Sequence, residues 1–276
     1  MTRRALVMTL AGVTAILLPA VLGAVFIAPH AVFIDHETRS AQVILGNGGD
    51  APEEVTVDLK FGYPSTDSLG TPYIRLVDAP GPEYPSAADW IRAFPRRIRL
   101  EPGDRQTVRL LATPPAGLPD GEYWARLIVS SRGAAVPMAT ADTAVRAGLE
   151  LELRLVVSVS YRKGALTTGV GLTRFEASVA GDSLVAWMGV ERSGSAAYLG
   201  TARFSVLDSA GAAVREWATP ISVYLPYDRR FVVPLEGLAP GAYRFALALV
   251  AERSDLEPRR VLPALAVGDT VAFVVP

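Results

Sequence analysis

The 276-residue chain contains no cysteine. That excludes a disulfide framework, an iron–sulfur cluster, a thiolate zinc site and a cysteine nucleophile together. Histidine is nearly as scarce, with only His30 and His36, both close to the start. Little acid–base chemistry is therefore on hand near neutral pH. A charge excess is missing too, since 27 basic and 28 acidic residues almost cancel. A phosphate-driven nucleic-acid binder would need a basic face, so no nucleic-acid partner is expected. What remains is a globular composition, 50% apolar and 20% charged. These absences point away from an enzyme, and neither a cofactor nor a metal is expected.

Arg3 and Arg4 precede an uncharged, mostly apolar run from Ala5 to Ala28. A basic start followed by an apolar stretch is the pattern of a secretory signal. Val21-Leu22-Gly23 offers a small-residue cleavage site, with Gly23 last. The run is also long enough to span a bilayer. Residues 1–28 are therefore read as a signal peptide or an N-terminal membrane anchor. In either case the rest of the chain is exported to the periplasm or cell envelope. It meets the membrane only through residues 5–28, if these stay uncleaved.

From about residue 30 onward, period-two stretches bounded by Gly, Pro, Asp and Asn dominate. Val55-Thr56-Val57-Asp58-Leu59-Lys60-Phe61 alternates apolar and polar side chains, and Arg97–Leu100 and Thr107–Leu110 flank the turn Glu101-Pro102-Gly103-Asp104. Short strands with frequent turn signals predict an all-β sandwich. An internal repeat doubles it. Leu118-Pro-Asp-Gly121-Glu-Tyr123 returns as Leu238-Ala-Pro-Gly241-Ala-Tyr243, and Asp104-Arg105 with Val108 is echoed by Asp228-Arg229 with Val232. Asn47-Gly-Gly-Asp-Ala-Pro resembles Arg192-Ser-Gly-Ser-Ala-Ala. A tyrosine at the start of a late strand can bond back to the preceding corner, which fits Tyr123 and Tyr243. The expectation is two tandem immunoglobulin-like sandwiches, 29–162 and 165–276, joined at Arg162-Lys163-Gly164. Gly62 to Asp89 reads as a long loop. Trp90, Ile91 and Phe94 after it read as a cap on the open end of the sandwich, with an exposed aromatic anchor as the alternative.

Residues 149–161 carry the functional expectation. Leu149, Leu151, Leu153, Leu155, Val157, Val159 and Tyr161 alternate with Glu150, Glu152, Arg154, Val156, Ser158 and Ser160. In an extended chain the first set lies on one face. Thirteen residues span about 40 Å, twice an ordinary strand, so one end can overhang its own sheet. An overhanging strand offers unpaired backbone and a row of leucines to another protein.

Several segments resemble the PapD-like periplasmic pilus-assembly chaperones, mainly over residues 30–162. Phe94-Pro95 through Leu110, with Leu100-Glu-Pro102-Gly103 and Arg109, is similar to that family's Pro-x-x-x-Leu-x-Pro-Gly segment and the strand after it. Arg39 to Asn47 is similar to its second strand, and the alternating strand ending in Tyr161-Arg162 to its last first-domain strand. The resemblance implies two immunoglobulin-like domains and a donor strand that completes the unfinished sheet of an exported pilus-type subunit. Donor positions then fall on Leu149, Leu151 and Leu153, with Leu155 beside them. The family's carboxylate-anchoring lysine would fall at Ser158, and His30–Asp35 holds no arginine for the other anchor. Arg39, Arg154 and Arg162 are the candidate substitutes. A structural or adhesive envelope module on the same fold, with no chaperone cycle, is the alternative.

Other constellations have blander readings. His30 and His36 share a strand face but lie about 20 Å apart, too far for one metal. Glu150 and Glu152 have Arg154 in their row, as on a solvated outer face. Trp187, Trp217, Tyr198 and Tyr224 read as sandwich core, with a carbohydrate-binding face as the sharper option.

Overall fold

The computed structural model describes residues 25–133, 136–137, 148–149 and 152–276. The first half contributes β1 (Val25–Ala28), β2 (Ala31–Asp35), β3 (Ser40–Asn47), β4 (Glu53–Thr66), β5 (Pro72–Val77), β6 (Ile91–Phe94), β7 (Arg97–Leu100), β8 (Arg105–Ala112), β9 (Gly121–Gly133), the two-residue β10 (Val136–Pro137) and β11 (Gly148–Leu149), and β12 (Glu152–Lys163). The second half contributes β13 (Thr168–Ala180), β14 (Ser183–Gly194), β15 (Tyr198–Leu207), β16 (Ala213–Val223), β17 (Tyr227–Pro234), β18 (Gly241–Val250) and β19 (Val267–Val275).

In the first sandwich, β1-β3-β8-β6 faces β2-β12-β9-β4-β5, with β7 on β4. In the second, β13-β14-β17 faces β16-β15-β18-β19. The two share one plan: β1-β3-β8 matches β13-β14-β17, and β5-β4-β9-β12 matches β16-β15-β18-β19. The sequence repeats fall on equivalent elements, β8 with β17 and β9 with β18. Tyr123 Oη donates to the Pro119 carbonyl at 3.0 Å, and Tyr243 Oη to the Ala239 carbonyl at 3.0 Å. Both corner tyrosines thus close the turn four residues back. The repeat extends to Gly117 and Gly237, at φ 70° and 79°, a left-handed backbone that glycine adopts without a Cβ clash.

Each sandwich has its own core. Val43, Leu45, Val57, Leu110, Leu127, Val159 and Tyr161 lie in the first, and Leu184, Met188, Phe204, Phe245 and Leu249 in the second. Full burial of an aliphatic or aromatic side chain of this kind contributes roughly 1.5–3 kcal/mol. A third cluster of Phe61, Tyr63, Trp124, Ala197, Leu199 and Tyr224 joins the halves.

Four local readings change. Val25–Ala28, grouped with the leader by their apolar character, are β1: they pair with β3 and bury Val25 and Ile27. The supposed loop from Gly62 begins with the end of β4 and returns along β5, forming a hairpin. Its tip crosses to the second half, where the Arg230 amide donates to the Gly70 carbonyl at 3.1 Å. Ile91 is buried, and Trp90 packs edge-on to Tyr161 at 4.8 Å, but Phe94 points outward. The strand read as 149–161 runs as β12 from Glu152 to Lys163, while Leu149 pairs separately with Val136.

Candidate functional site

The opening segment sets up the site by changing sheets. After β1 pairs with β3, β2 lies parallel to β12, with Ala31 opposite Ser158 and Asp35 opposite Arg162. On its other side, β12 pairs with β9 along its whole length, from Glu152 opposite Arg132 to Lys163 opposite Gly121. β2 therefore covers only Ser158–Arg162. From Glu152 to Val157 the outer side of β12 has no strand partner among the described residues. Six residues make an edge of about 20 Å. Every second residue on it directs both its N–H and its C=O outward.

The side chains along this edge are graded. Leu153 is 40% exposed, Leu155 is half-buried against the first core, and Val157, Val159 and Tyr161 are buried. The inner row of the strand thus leaves the core at its N-terminal end. On the opposite face Glu152 and Arg154 are exposed. An Arg154 Nη2 donates to Glu152 Oε1 at 3.3 Å, and Arg132 Nη2 lies 3.6 Å from the other carboxylate oxygen. The Arg154 bond first, then the Ser130 hydroxyl, holds the Glu152 carboxyl below its ordinary pKa. Leu151 and Glu150 lie outside the described residues, as does the side chain of Leu149.

The three candidate anchors separate widely. Arg39 is exposed in the turn between β2 and β3, at φ 52°, with Nε donating to the His36 carbonyl at 3.2 Å. Arg154 serves Glu152. Arg162 is buried beside the joint, where Nε donates to Glu122 Oε2 at 2.7 Å and Nη1 to the Arg260 carbonyl at 2.8 Å. Its guanidinium lies 4.4 Å from the centre of the Phe33 ring. Its Nη2 is buried with no hydrogen-bond partner among the described residues.

Sequence reasoning missed the group that surrounds Arg162. Glu122 is buried and accepts from Trp124 Nε1 at 2.9 Å and Ser160 Oγ at 3.3 Å as well as from Arg162. Arg126, directly across from Ser158, is buried. Its Nε donates to the Gly62 carbonyl at 3.0 Å, its guanidinium lies 4.7 Å from the Tyr224 ring centre, and its Nη2 is unpartnered. Arg192 donates to the Tyr224 carbonyl at 2.9 Å, and burial pulls its pKa down despite the nearby Glu122 charge. Arg162 thus bonds the Glu122 carboxylate directly and Arg192 feels its charge, while Arg126 stands further along the same strand as Glu122, across from the position where a lysine was expected. The only sequence signal was the same-face row Glu122, Trp124 and Arg126.

The remaining candidates serve structure. Asp35 accepts both oxygens' worth of bonding from Arg260 Nη1, at 2.8 and 3.0 Å, and His36 Nδ1 contacts the Tyr161 hydroxyl. Trp217 stacks on Phe204 at 5.2 Å and on Phe245 at 5.8 Å. Tyr198 is buried, Tyr224 packs on Trp124 at the joint, and Trp187 carries the Arg174 guanidinium at 4.8 Å. These four aromatics are divided among core, joint and outer face.

No protein-family model and no curated protein matches the chain. Among solved structures it is similar to the YadV chaperone, with a TM-score of 0.44 and 15% identity over 90% of this chain and 99% of that one. It is also similar to the CupB2 chaperone of Pseudomonas aeruginosa, at 0.42 and 11% over 91% and 100%. The complex of the chaperone CsuC with the tip adhesion subunit CsuE from Acinetobacter baumannii matches at 0.39 and 17%, over 75% of this chain and 89% of that one.

Proposed function

We propose that the chain is a PapD-like periplasmic chaperone that holds an exported, pilus-type subunit by strand addition along the open edge of β12. The observation that carries this is the six-residue edge from Glu152 to Val157, where free backbone coincides with a leucine row continuous with the core. A strand laid there gains main-chain hydrogen bonds, while Leu153 and Leu155 enter alternate pockets of the partner. Leu149 and Leu151 extend the donor row in the same reading. Binding, not catalysis, is the activity proposed.

The anchoring role then passes from Arg39 and Arg154 to the buried side of the strand. Arg126 stands opposite Ser158, where the resemblance calls for a lysine, and Arg162 lies four residues further along. Residues 29–162 and 165–276 are proposed as the two domains, with the first extended back to Val25. The export signal is placed before it, and cleavage after Gly23 would leave Ala24 ahead of β1.

The test is Leu153→Asp. With 40% of its side chain exposed, Leu153 contributes little to the isolated fold. A carboxylate forced into an apolar pocket should lower subunit affinity by at least about a hundredfold. Co-purification from the host envelope reads the effect, and circular dichroism checks the fold. Unchanged capture by a folded variant sinks the mechanism. An envelope module without subunit exchange is the second reading, favoured because Glu122 already neutralises Arg162. On that reading native mass spectrometry of envelope preparations finds only the chain itself.

A further inference from the structure

The outward face of the sheet β1-β3-β8-β6 differs in charge from the outer row of β4 and β12. None of these four strands contains an acidic residue. Their registers bring Phe26, Ile44, Phe94 and Leu111 onto one side, among Arg92, Arg105 and Arg109. The apolar four are 40%, 41%, 73% and 53% exposed. The three arginines are exposed and make no ion pair among the described residues. Arg105 instead lies 5.8 Å from the Phe26 ring centre. Across the sandwich, by contrast, the outer row of β4 and β12 alternates Glu54, Asp58 and Glu152 with basic partners.

We propose that this face docks on the surface of an anionic lipid bilayer. Phenylalanine, leucine and isoleucine side chains interleaved with arginines suit the headgroup boundary: the apolar groups enter the acyl margin while the guanidinium groups meet lipid phosphates. The placement of the face agrees. The apolar run of residues 5–24 ends one residue before β1, the edge strand of this sheet. As long as that run is attached to the membrane, the first residue of the edge strand of this face starts next to the bilayer. A second copy is a poor occupant, because a two-fold contact would set three arginines against three with no carboxylate between them. The docking is independent of the β12 edge, so subunit capture and lipid binding can fail separately.

The absence of cysteine makes a site-specific test simple. Leu111→Cys in the full chain carries an environment-sensitive fluorophore, and Leu265→Cys, on the distant second half, serves as control. Vesicles of phosphatidylcholine alone are compared with vesicles containing 30% phosphatidylglycerol. The expected result is an excess blue shift at position 111 with the anionic vesicles over the neutral ones, to which the apolar run alone attaches the chain. Raising salt from 50 to 300 mM should weaken it. Arg105→Glu with Arg109→Glu should abolish it. No shift at position 111, an equal shift at 265, or a shift with polyglutamate but not with anionic vesicles overturns the proposal. If the Leu111→Cys chain does not fold, Phe94→Cys on the same face gives the same readout.

Discussion

Glu122 shows how one residue can hold a joint together. Its carboxylate is buried and receives three hydrogen bonds, including the one from Arg162. Removing one partner of a buried ion pair leaves the other charge stranded, at a cost of about 3–5 kcal/mol. Glu122→Leu should therefore unfold at much lower urea, while Glu122→Leu combined with Arg162→Met should recover a large part of the loss. Equal midpoints for the single and double variants would show that the pair does not act as a unit. Tyr198 is the opposite case. Its hydroxyl is buried without a partner, and burial pushes its pKa up to about 12. Tyr198→Phe removes an unsatisfied group and should stabilise the chain by about 1 kcal/mol. The raised value also sets a sign: the unfolded phenol ionises near 10 and the folded one near 12, so stability is complete below pH 10 and falls between 10 and 12. Urea midpoints at pH 9 and 11 should drop less in Tyr198→Phe than in the parent chain.

At the scale of the strand, the edge of β12 has a pattern that hydrogen exchange can read. Between Glu152 and Val157 every second amide faces away from β9 and has no strand partner among the described residues, whereas from Ser158 to Arg162 both sides are paired. Protection should therefore alternate in the first stretch and be continuous in the second. Uniform protection from 152 onward would mean that another segment covers the edge. Much of this element was legible beforehand, because alternation of Leu153, Leu155 and Val157 needs only a period of two. The corner tyrosines were legible for a similar reason, since each bond spans four residues. β1 was hidden because Val-Phe-Ile-Ala continues the apolar run that begins at Ala5 without a break. The β4–β5 hairpin was hidden by Gly62, Pro64 and Pro72. Pro64 is tolerated because that part of β4 pairs only with β5, and Pro72 because it opens an edge strand. The group around Glu122 was illegible for another reason: Ser160 and Arg162 come to it from β12, 38 and 40 residues away.

For the whole molecule, the halves are tied by more than the link at Gly164. Arg260 holds Asp35 while its carbonyl accepts from Arg162, the Gly70 tip meets β17, and Trp124 packs against Tyr224. Arg260→Ala removes the ion pair with Asp35, keeps the backbone carbonyl that accepts from Arg162, and leaves both cores intact. The joint should weaken by about 1–3 kcal/mol, the range for a hydrogen bond to a charged group. Thermal unfolding should then resolve into two steps, and the radius of gyration from small-angle scattering should rise. A single unshifted transition would place the coupling in the contacts that remain, the Arg162 bond, the Gly70 tip and the aromatic cluster.

The parallel pairing of β2 with β12 also has a consequence in time. A chain that emerges from its N-terminus presents Ala31–Asp35 first, yet their strand partner is Ser158–Arg162 and the ion-pair partner of Asp35 is Arg260. The first sheet waits for more than a hundred residues before its edge can close, and the joint waits nearly for the end of the chain. Contacts of such sequence separation form slowly. The chain therefore passes through an unfinished sheet of its own on the way to the fold.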